Sequence, residues 1–194
     1  PYAVDREVDD LQPLMDAAGG SAFVHGFSSG AVLALHAVAH GLAIPKLSLL
    51  EPPISLDAEA APDTSLESEV AELVATGRRG DAVEHFNRSI GVPEEYLVGM
   101  REAPWWPTME ALAHTLVYDL IITRTLSARQ VSAITTPTLI LASEASDDRL
   151  HDWAQGLRDA LPNASLRTLK GEWHGVAAED LAPVLAEFFT RTGK

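Results

Sequence analysis

The chain has 194 residues, with 28 Asp plus Glu against 14 Lys plus Arg, which gives a formal net charge of −14. Nucleic acids and anionic membrane surfaces bind basic patches, so this charge balance argues against both as partners. The sequence contains no cysteine, which excludes disulfides, a thiol nucleophile and a thiolate metal site. No apolar run reaches the roughly 18 residues of a membrane span. Residues 1–15 are acidic and polar rather than a signal peptide, which favours a cytoplasmic location.

The length favours a single domain, and a hydrophobic content of 46% is enough for a core. Residues 5–18 carry apolar side chains at helical spacing, but Pro13 implies that the helix either begins near Asp10 or is kinked. The next elements alternate between strand and helix, which predicts a parallel α/β sheet. They are a strand over 21–25, a helix over 29–40 and a strand over 46–50.

Residues 54–130 interrupt this alternation and predict a helical cap inserted into the domain at about 55–130. An acidic, proline-bearing loop is predicted over 56–67, followed by helices over 68–75, 79–90, 93–101 and 109–126. The alternation then resumes, with strands over 138–142 and 165–169 and helices over 148–160 and 178–190. The fold class is therefore α/β, a mostly parallel sheet with flanking helices and a helical insertion.

The run Gly26-Phe27-Ser28-Ser29-Gly30 lies between a predicted strand and a predicted helix. A Gly-x-Ser-x-Gly motif at such a junction is typical of a nucleophile elbow, which holds the serine on a sharp, strained turn. Both glycines are expected to be required so that strand and helix avoid clashing. The context favours Ser28 as a nucleophile and the backbone N–H of Ser29, at a helix start, as an oxyanion donor. The alternative is a small-residue turn where a helix packs on a sheet.

A serine nucleophile needs a base, and His174 follows the last predicted strand in Gly171-Glu172-Trp173-His174-Gly175. The chain order, serine early and histidine late, suits this pairing. His36 and His40 have a helical spacing that could bind a metal, but the Glu of the zinc-protease motif does not follow His36. We therefore predict two packed histidines there, no metal site and no organic cofactor.

The carboxylate that would orient His174 has two main candidates. Glu51 follows the strand over 46–50, at the edge of a parallel sheet where active-site groups gather. Asp147 lies after the strand over 138–142, but it could equally cap the next helix. In most α/β-hydrolases, which the elbow and the His174 loop resemble, the acid after this strand lies in a Gly-x-x-Asp motif, and that register places Ser143 at the glycine and Ser146 at the aspartate. The remaining candidates are Asp148 and Glu144.

The elbow, Glu51-Pro52-Pro53, the strand from Thr138, the histidine turn and the final helix together resemble the α/β-hydrolase superfamily. Within it, the combination looks like small actinobacterial-type esterases and lipase-like hydrolases, and the resemblance covers most of the chain outside the insertion. The resemblance implies a serine hydrolase acting on small-molecule carboxylic esters or lactones. The aromatic residues of the insertion would line an acyl pocket or pack in a core; they are Trp105, Trp106 and Tyr118.

The resemblance also implies strands before the elbow strand, together with a loop that donates the second oxyanion N–H, and we see neither in this sequence. The elbow strand would then be an apolar edge, which promotes association. We expect a homo-oligomer that pairs through residues 22–24, or pairing with a missing N-terminal segment. One lost oxyanion donor lowers turnover on the order of 100- to 1000-fold. The alternative function is thus a weak or inactive truncated hydrolase that acts as a complementing or self-associating subunit.

Overall fold

The computed structural model describes residues 2–56 and 64–191. Within these residues, four parallel strands form one sheet in the spatial order β1-β2-β3-β4. The strands are β1 (Val24–Phe27), β2 (Leu47–Leu50), β3 (Thr138–Ser143) and β4 (Ala164–Leu169). The predicted parallel α/β fold is confirmed.

The described residues also form ten α-helices. They are α1 (Val4–Ala17), α2 (Ser29–Ala39), α3 (Ser65–Ala75), α4 (Arg79–Ser89), α5 (Glu94–Leu97), α6 (Trp106–Leu112), α7 (Leu116–Arg124), α8 (Ala128–Ser132), α9 (Asp148–Ala160) and α10 (Ala178–Thr190). Helices α3 to α8 lie between β2 and β3 in the chain, where the sequence predicts an inserted helical block.

The chain forms two compact units. The sheet unit contains the described residues 2–56 and 122–191, and the helical unit contains residues 64–121. Every residue of β2 and of β3 is buried, as the continuous apolar runs of a two-sided parallel sheet require. The helical unit has its own core, which includes Val70, Val83 and Trp106. The prediction of a single domain with one insertion stays a prediction.

Several predicted boundaries differ from the structure. Helix α1 begins at Val4 and runs through Pro13, so the predicted start near Asp10 is wrong. Pro13 is exposed, so water can satisfy the carbonyl that the proline ring leaves without a helical partner. Strand β1 begins at Val24 rather than at residue 21, because the ladder to β2 begins with the bond from Val24 N–H to the Lys46 carbonyl.

The helical unit is more broken than the sequence predicts. The single helix predicted over 109–126 is two helices, α6 and α7, separated by a 3₁₀ turn at Ala113–Thr115. The helix predicted over 93–101 is only the four-residue α5, because Gly99 takes a left-handed φ of 76° before a second 3₁₀ turn. Of the loop predicted over 56–67, residues 57–63 lie outside the described residues, and α3 already begins at Ser65. Over the two described stretches, no helix is long and apolar enough to cross a bilayer.

Candidate active site

Ser28 lies at the sharp turn between β1 and α2. Its backbone N–H still donates to the Leu50 carbonyl at 3.0 Å, which extends the β1–β2 ladder by one residue. Its carbonyl already accepts from Ala31 N–H at 2.9 Å, as in the first turn of a helix. The change of direction is concentrated at Ser28, whose φ of 52° is in the left-handed region.

The two glycines of the elbow differ in what they do. A Cβ at Gly26 would lie 2.5 Å from the Cα of Ala31 and 2.7 Å from the Gly30 carbonyl oxygen, both backbone atoms that cannot give way cheaply. A Cβ at Gly30 would meet nothing within 4 Å. The expectation that both glycines are sterically required is therefore wrong. Only Gly26 lies where α2 crosses the strand, whereas Gly30 is exposed.

Three of the predicted site residues form one chain of hydrogen bonds. His174 Nε2 lies 2.9 Å from Ser28 Oγ, and His174 Nδ1 lies 2.8 Å from Glu51 Oε2. The sheet register brings the first two strand ends together, because Phe27 is paired with Leu50 and the next residues are Ser28 and Glu51. His174 arrives from the loop after β4, at the same carboxyl edge.

Glu51 is the buried end of this chain. Its side chain has no exposed surface, whereas that of His174 is 15% exposed. Its other oxygen, Oε1, accepts from the backbone N–H of Ser143 at 2.7 Å, and the Ser146 hydroxyl also hydrogen-bonds the carboxylate. Burial acts to raise the pKa of Glu51, but hydrogen bonds from His174, Ser143 and Ser146 outweigh it, so the pKa is lowered below its usual value.

The loop that carries His174 is a tight turn closed by two backbone hydrogen bonds between Glu172 and Gly175, at 2.9 and 3.2 Å. Two serines at the end of β3 fix it further. Ser143 Oγ donates to the Glu172 carbonyl at 2.6 Å, and His174 N–H donates to Ser146 Oγ at 3.0 Å. His174 is therefore held by hydrogen bonds to its backbone as well as to its ring nitrogens.

Two aromatic rings flank the imidazole. The ring centroids of Phe27 and His174 are 5.0 Å apart, and those of Trp173 and His174 are 5.3 Å apart. No sequence motif indicates a role for Phe27, Trp173, Ser143 or Ser146. The only signal for the serines was their place in the Gly-x-x-Asp register.

The backbone at this edge has an unusual feature. Among the described residues, the non-glycine residues with positive φ are Ser28, Glu51 and His174, at 52°, 48° and 53°. Such conformations cost on the order of 1–3 kcal/mol each and persist only where the surrounding structure fixes them. The strained positions of the described chain therefore coincide with its hydrogen-bonded Ser-His-Glu cluster.

Asp147, the other candidate carboxylate, has different partners. Its Oδ1 accepts from Leu150 N–H at 3.0 Å, which makes it the N-cap of α9, and its Oδ2 lies 3.4 Å from Trp173 Nε1. Arg149 lies 3.5 Å from the same oxygen. The structure thus brings Glu51, and not Asp147, to His174.

The aromatic residues predicted to line an acyl pocket all belong to the helical unit. Trp106 is 6% exposed in that unit's core, with the Arg101 guanidinium 5.4 Å from its ring centroid. Trp105 is about half exposed, and Tyr118 packs edge-on against His114. The place of Trp106 fits the core alternative, and a role in substrate binding stays a prediction.

The paired histidines of α2 have structural partners. His36 Nε2 lies 3.1 Å from the Ile122 carbonyl, and His40 contacts the His36 carbonyl and Asp5. Over residues 2–56 and 64–191, no group of three or more His, Asp or Glu residues could hold a metal ion.

Known structures share this fold. A crystal structure of an α/β-hydrolase from Sphaerobacter thermophilus is 45% identical to the chain, with a TM-score of 0.87. The match covers 98% of this chain and 76% of that one. The chain belongs to the α/β-hydrolase family. No protein-family model matches it, and a search of curated proteins finds no relative.

More distant structures resemble this α/β-hydrolase in fold alone. A carboxylesterase structure from Nitrososphaera gargenis is 17% identical, with a TM-score of 0.65, and the match covers 97% of this chain and 71% of that one. The 2-hydroxy-6-oxo-6-phenylhexa-2,4-dienoate hydrolase of Rhodococcus sp. strain RHA1 is also 17% identical, with a TM-score of 0.63 and the same coverage.

Proposed function

We propose that the protein is a serine hydrolase of small carboxylic esters or lactones, with Ser28 as nucleophile, His174 as base and Glu51 as the acid that orients it. The observation that carries the proposal is the continuous hydrogen-bond chain from Ser28 Oγ through both nitrogens of His174 to Glu51. Its members lie at the carboxyl edge of a parallel sheet, where α/β folds place their reactive groups.

The proposed reaction has two stages, acylation and deacylation of Ser28. His174 Nε2 removes the proton of Ser28 as Oγ attacks the ester carbonyl, and the oxyanion accepts a hydrogen bond from the backbone N–H of Ser29. The carbonyl re-forms and expels the alcohol oxygen, which takes the proton from His174. Water then attacks the acyl group on Ser28 while His174 accepts its proton, and the acid is released as Ser28 regains a proton.

The electrostatics of Glu51 suit this role. Its lowered pKa keeps the carboxylate ionised at neutral pH, even though the side chain is buried. An ionised carboxylate on Nδ1 directs the neutral imidazole to present an unprotonated Nε2 to Ser28. It also stabilises the imidazolium that forms during attack, an effect that water screens little in a buried site.

A fluorophosphonate probe tests the proposal directly. We expect one covalent adduct on the folded chain, located on Ser28 by peptide mass spectrometry and absent in Ser28→Ala. Hydrolysis of p-nitrophenyl acetate should fall in parallel, while Ser132→Ala, a surface serine of α8, serves as the matched control. A folded chain that neither reacts with the probe nor cleaves short esters or lactones would refute the proposal.

The free edge of β1 supports a second proposal, self-association. Val24 and Ser28 direct their N–H groups to β2, so the backbone groups of His25 and Phe27 face the opposite side, where no described strand pairs with them. We propose that a second copy pairs along this edge. Light scattering should then give a mass above one chain, and His25→Pro, which removes an edge N–H, should lower it relative to His25→Ala.

Probe labelling and light scattering together distinguish the enzyme from the alternative of a non-catalytic subunit. Self-association without probe labelling would favour the subunit. A mass of one chain in dilute solution, together with labelling of Ser28, would support the hydrolase proposal and reject association through β1.

A further inference from the structure

We propose that Ser146 is a positioning residue, whose hydroxyl ties the Glu51 carboxylate to the backbone of His174. This inference rests on the proposed function, since it concerns how the same Ser-His-Glu cluster is held.

One oxygen atom makes both contacts. His174 N–H donates to Ser146 Oγ at 3.0 Å, and the same hydroxyl hydrogen-bonds the Glu51 carboxylate. An ionised carboxylate can only accept, so the hydroxyl donates its single proton to Glu51 and offers a lone pair to His174. An asparagine at position 146 would reproduce these two hydrogen bonds poorly, because its amide donates through nitrogen and accepts through oxygen.

The two residues that Ser146 joins are both strained. Glu51 and His174 have left-handed φ values of 48° and 53°, which only additional contacts can maintain. Ser146 is itself fixed, because its N–H bonds the Ser143 carbonyl at 3.3 Å and the next residue, Asp147, caps α9. The turn after β3 therefore acts as a clamp on residues that come from two other strand ends.

The identity of residue 146 fits this role. The Gly-x-x-Asp register places a carboxylate at this position, yet here the acid comes from the end of β2. A carboxylate at 146 would face Glu51, and two adjacent like charges oppose ionisation of both. A hydroxyl at the same place stabilises the Glu51 anion instead, so the serine is complementary to an acid on β2.

Steady-state kinetics separates positioning from general packing. We expect Ser146→Ala to lower kcat about 10- to 100-fold, the usual effect of losing a hydrogen bond to a charged group. KM should change less than about twofold, because Ser146 contacts the Ser-His-Glu cluster rather than substrate. Ser146→Thr, which keeps the hydroxyl, should restore most of kcat, and the surface variant Ser132→Ala should match the parent.

A measurement without turnover keeps the test independent of the proposed function. The proton between His174 Nδ1 and Glu51 should give a far-downfield ¹H resonance, assigned by its loss in Glu51→Gln. We expect this proton to exchange faster with water in Ser146→Ala and at the parental rate in Ser146→Thr, at unchanged Tm within a few degrees. Parental kcat and parental exchange in Ser146→Ala would overturn the inference. An inactive parent in which the exchange still responds to Ser146→Ala would reject the hydrolase and retain the clamp.

Discussion

The carboxyl edge of the sheet unit and the surface of the helical unit each contain a polar network centred on one charged residue. In the sheet unit the centre is Glu51, whose fully buried side chain is held by His174, Ser143 and Ser146. In the helical unit the centre is Arg101, which reaches Asp81 at 2.6 Å and Glu84 at 2.8 Å. The distances are similar, but the side chains of the second network are 30–45% exposed.

This difference in exposure decides what each network can do. Removing one partner of a buried charge leaves the other unsatisfied, which is costly, whereas water and salt replace an exposed partner. Exposed ion pairs contribute at most about 1 kcal/mol. The buried network therefore can enforce an uncommon backbone, as it does at Glu51, while the exposed network adds modest support to helices that form without it.

The largest effect is expected from the charge of Glu51. Glu51→Gln should lower kcat on the order of 1000- to 10,000-fold, because a neutral amide neither stabilises the imidazolium nor selects the right tautomer. Ester hydrolysis measured under saturating substrate gives this number. Asp147→Asn is the matched control and should stay within a few-fold of the parent, since Asn also caps helices. Equal losses of kcat in both variants would contradict the assignment of Glu51, rather than Asp147, as the acid that orients His174.

A backbone change at the elbow tests how tightly the sheet unit is packed. Gly26→Ala should lower the free energy of unfolding by about 1–3 kcal/mol or more, because the new Cβ meets backbone atoms of α2 at 2.5 Å. Gly30→Ala should be neutral or stabilising by up to about 1 kcal/mol, since alanine favours a helix. Urea unfolding of both variants provides the comparison, and similar destabilisation by the two would contradict the asymmetry of the elbow.

Acid stability measures the hydrogen bonding of the Glu51 carboxylate separately from catalysis. Because folding lowers the pKa of Glu51, its contribution to stability is complete above the ordinary glutamate pKa of 4.5 and is lost as pH falls through the lowered value. Glu51→Gln removes this contribution, so its free energy of unfolding should fall less steeply than the parent's between neutral and acid pH. Identical pH slopes would show that Glu51 titrates normally in the folded protein.

The smallest effect is expected in the helical unit. Arg101→Gln should lower the free energy of unfolding by less than about 1 kcal/mol, and the difference should shrink in high salt because the ion pairs are exposed. Urea titrations of parent and variant at low and high ionic strength test both statements. A salt-independent loss of several kcal/mol in the free energy of unfolding would show that Arg101 behaves as a buried charge. The two networks would then not differ in the way that their exposure predicts.

The sequence predicted the fold and two members of the cluster because their signals are local. Ser28 stands in a contiguous motif between a strand and a helix, and His174 stands in a loop between the last strand and the last helix. The choice between Glu51 and Asp147 could not be made locally, because it depends on which strand ends are neighbours. The register of β1 with β2 settles which carboxylate contacts His174.

Other features carried weaker signals. Ser143 and Ser146 are ordinary residues in a turn, and only the three-dimensional meeting of β2, β3 and the histidine loop gives them partners. The breaks in the helical unit were missed because a 3₁₀ turn such as Ala113–Thr115 keeps nearly helical spacing of apolar residues. The need for Gly30 was overestimated because the motif does not reveal which glycine the helix crosses.

The hydrogen bonds of the cluster join residues that are far apart in the chain, 146 positions for Ser28 and His174 and 123 for Glu51 and His174. Closing such long loops is slow, whereas the helical unit is built from contacts within a stretch of about sixty residues. We expect the helices to form early in refolding and the cluster to assemble only when the C-terminal strand and loop have docked. Ser28 would then become reactive only at the last stage of refolding. The amount of reactive Ser28 would therefore measure the fraction of molecules in which the loop of His174 has docked.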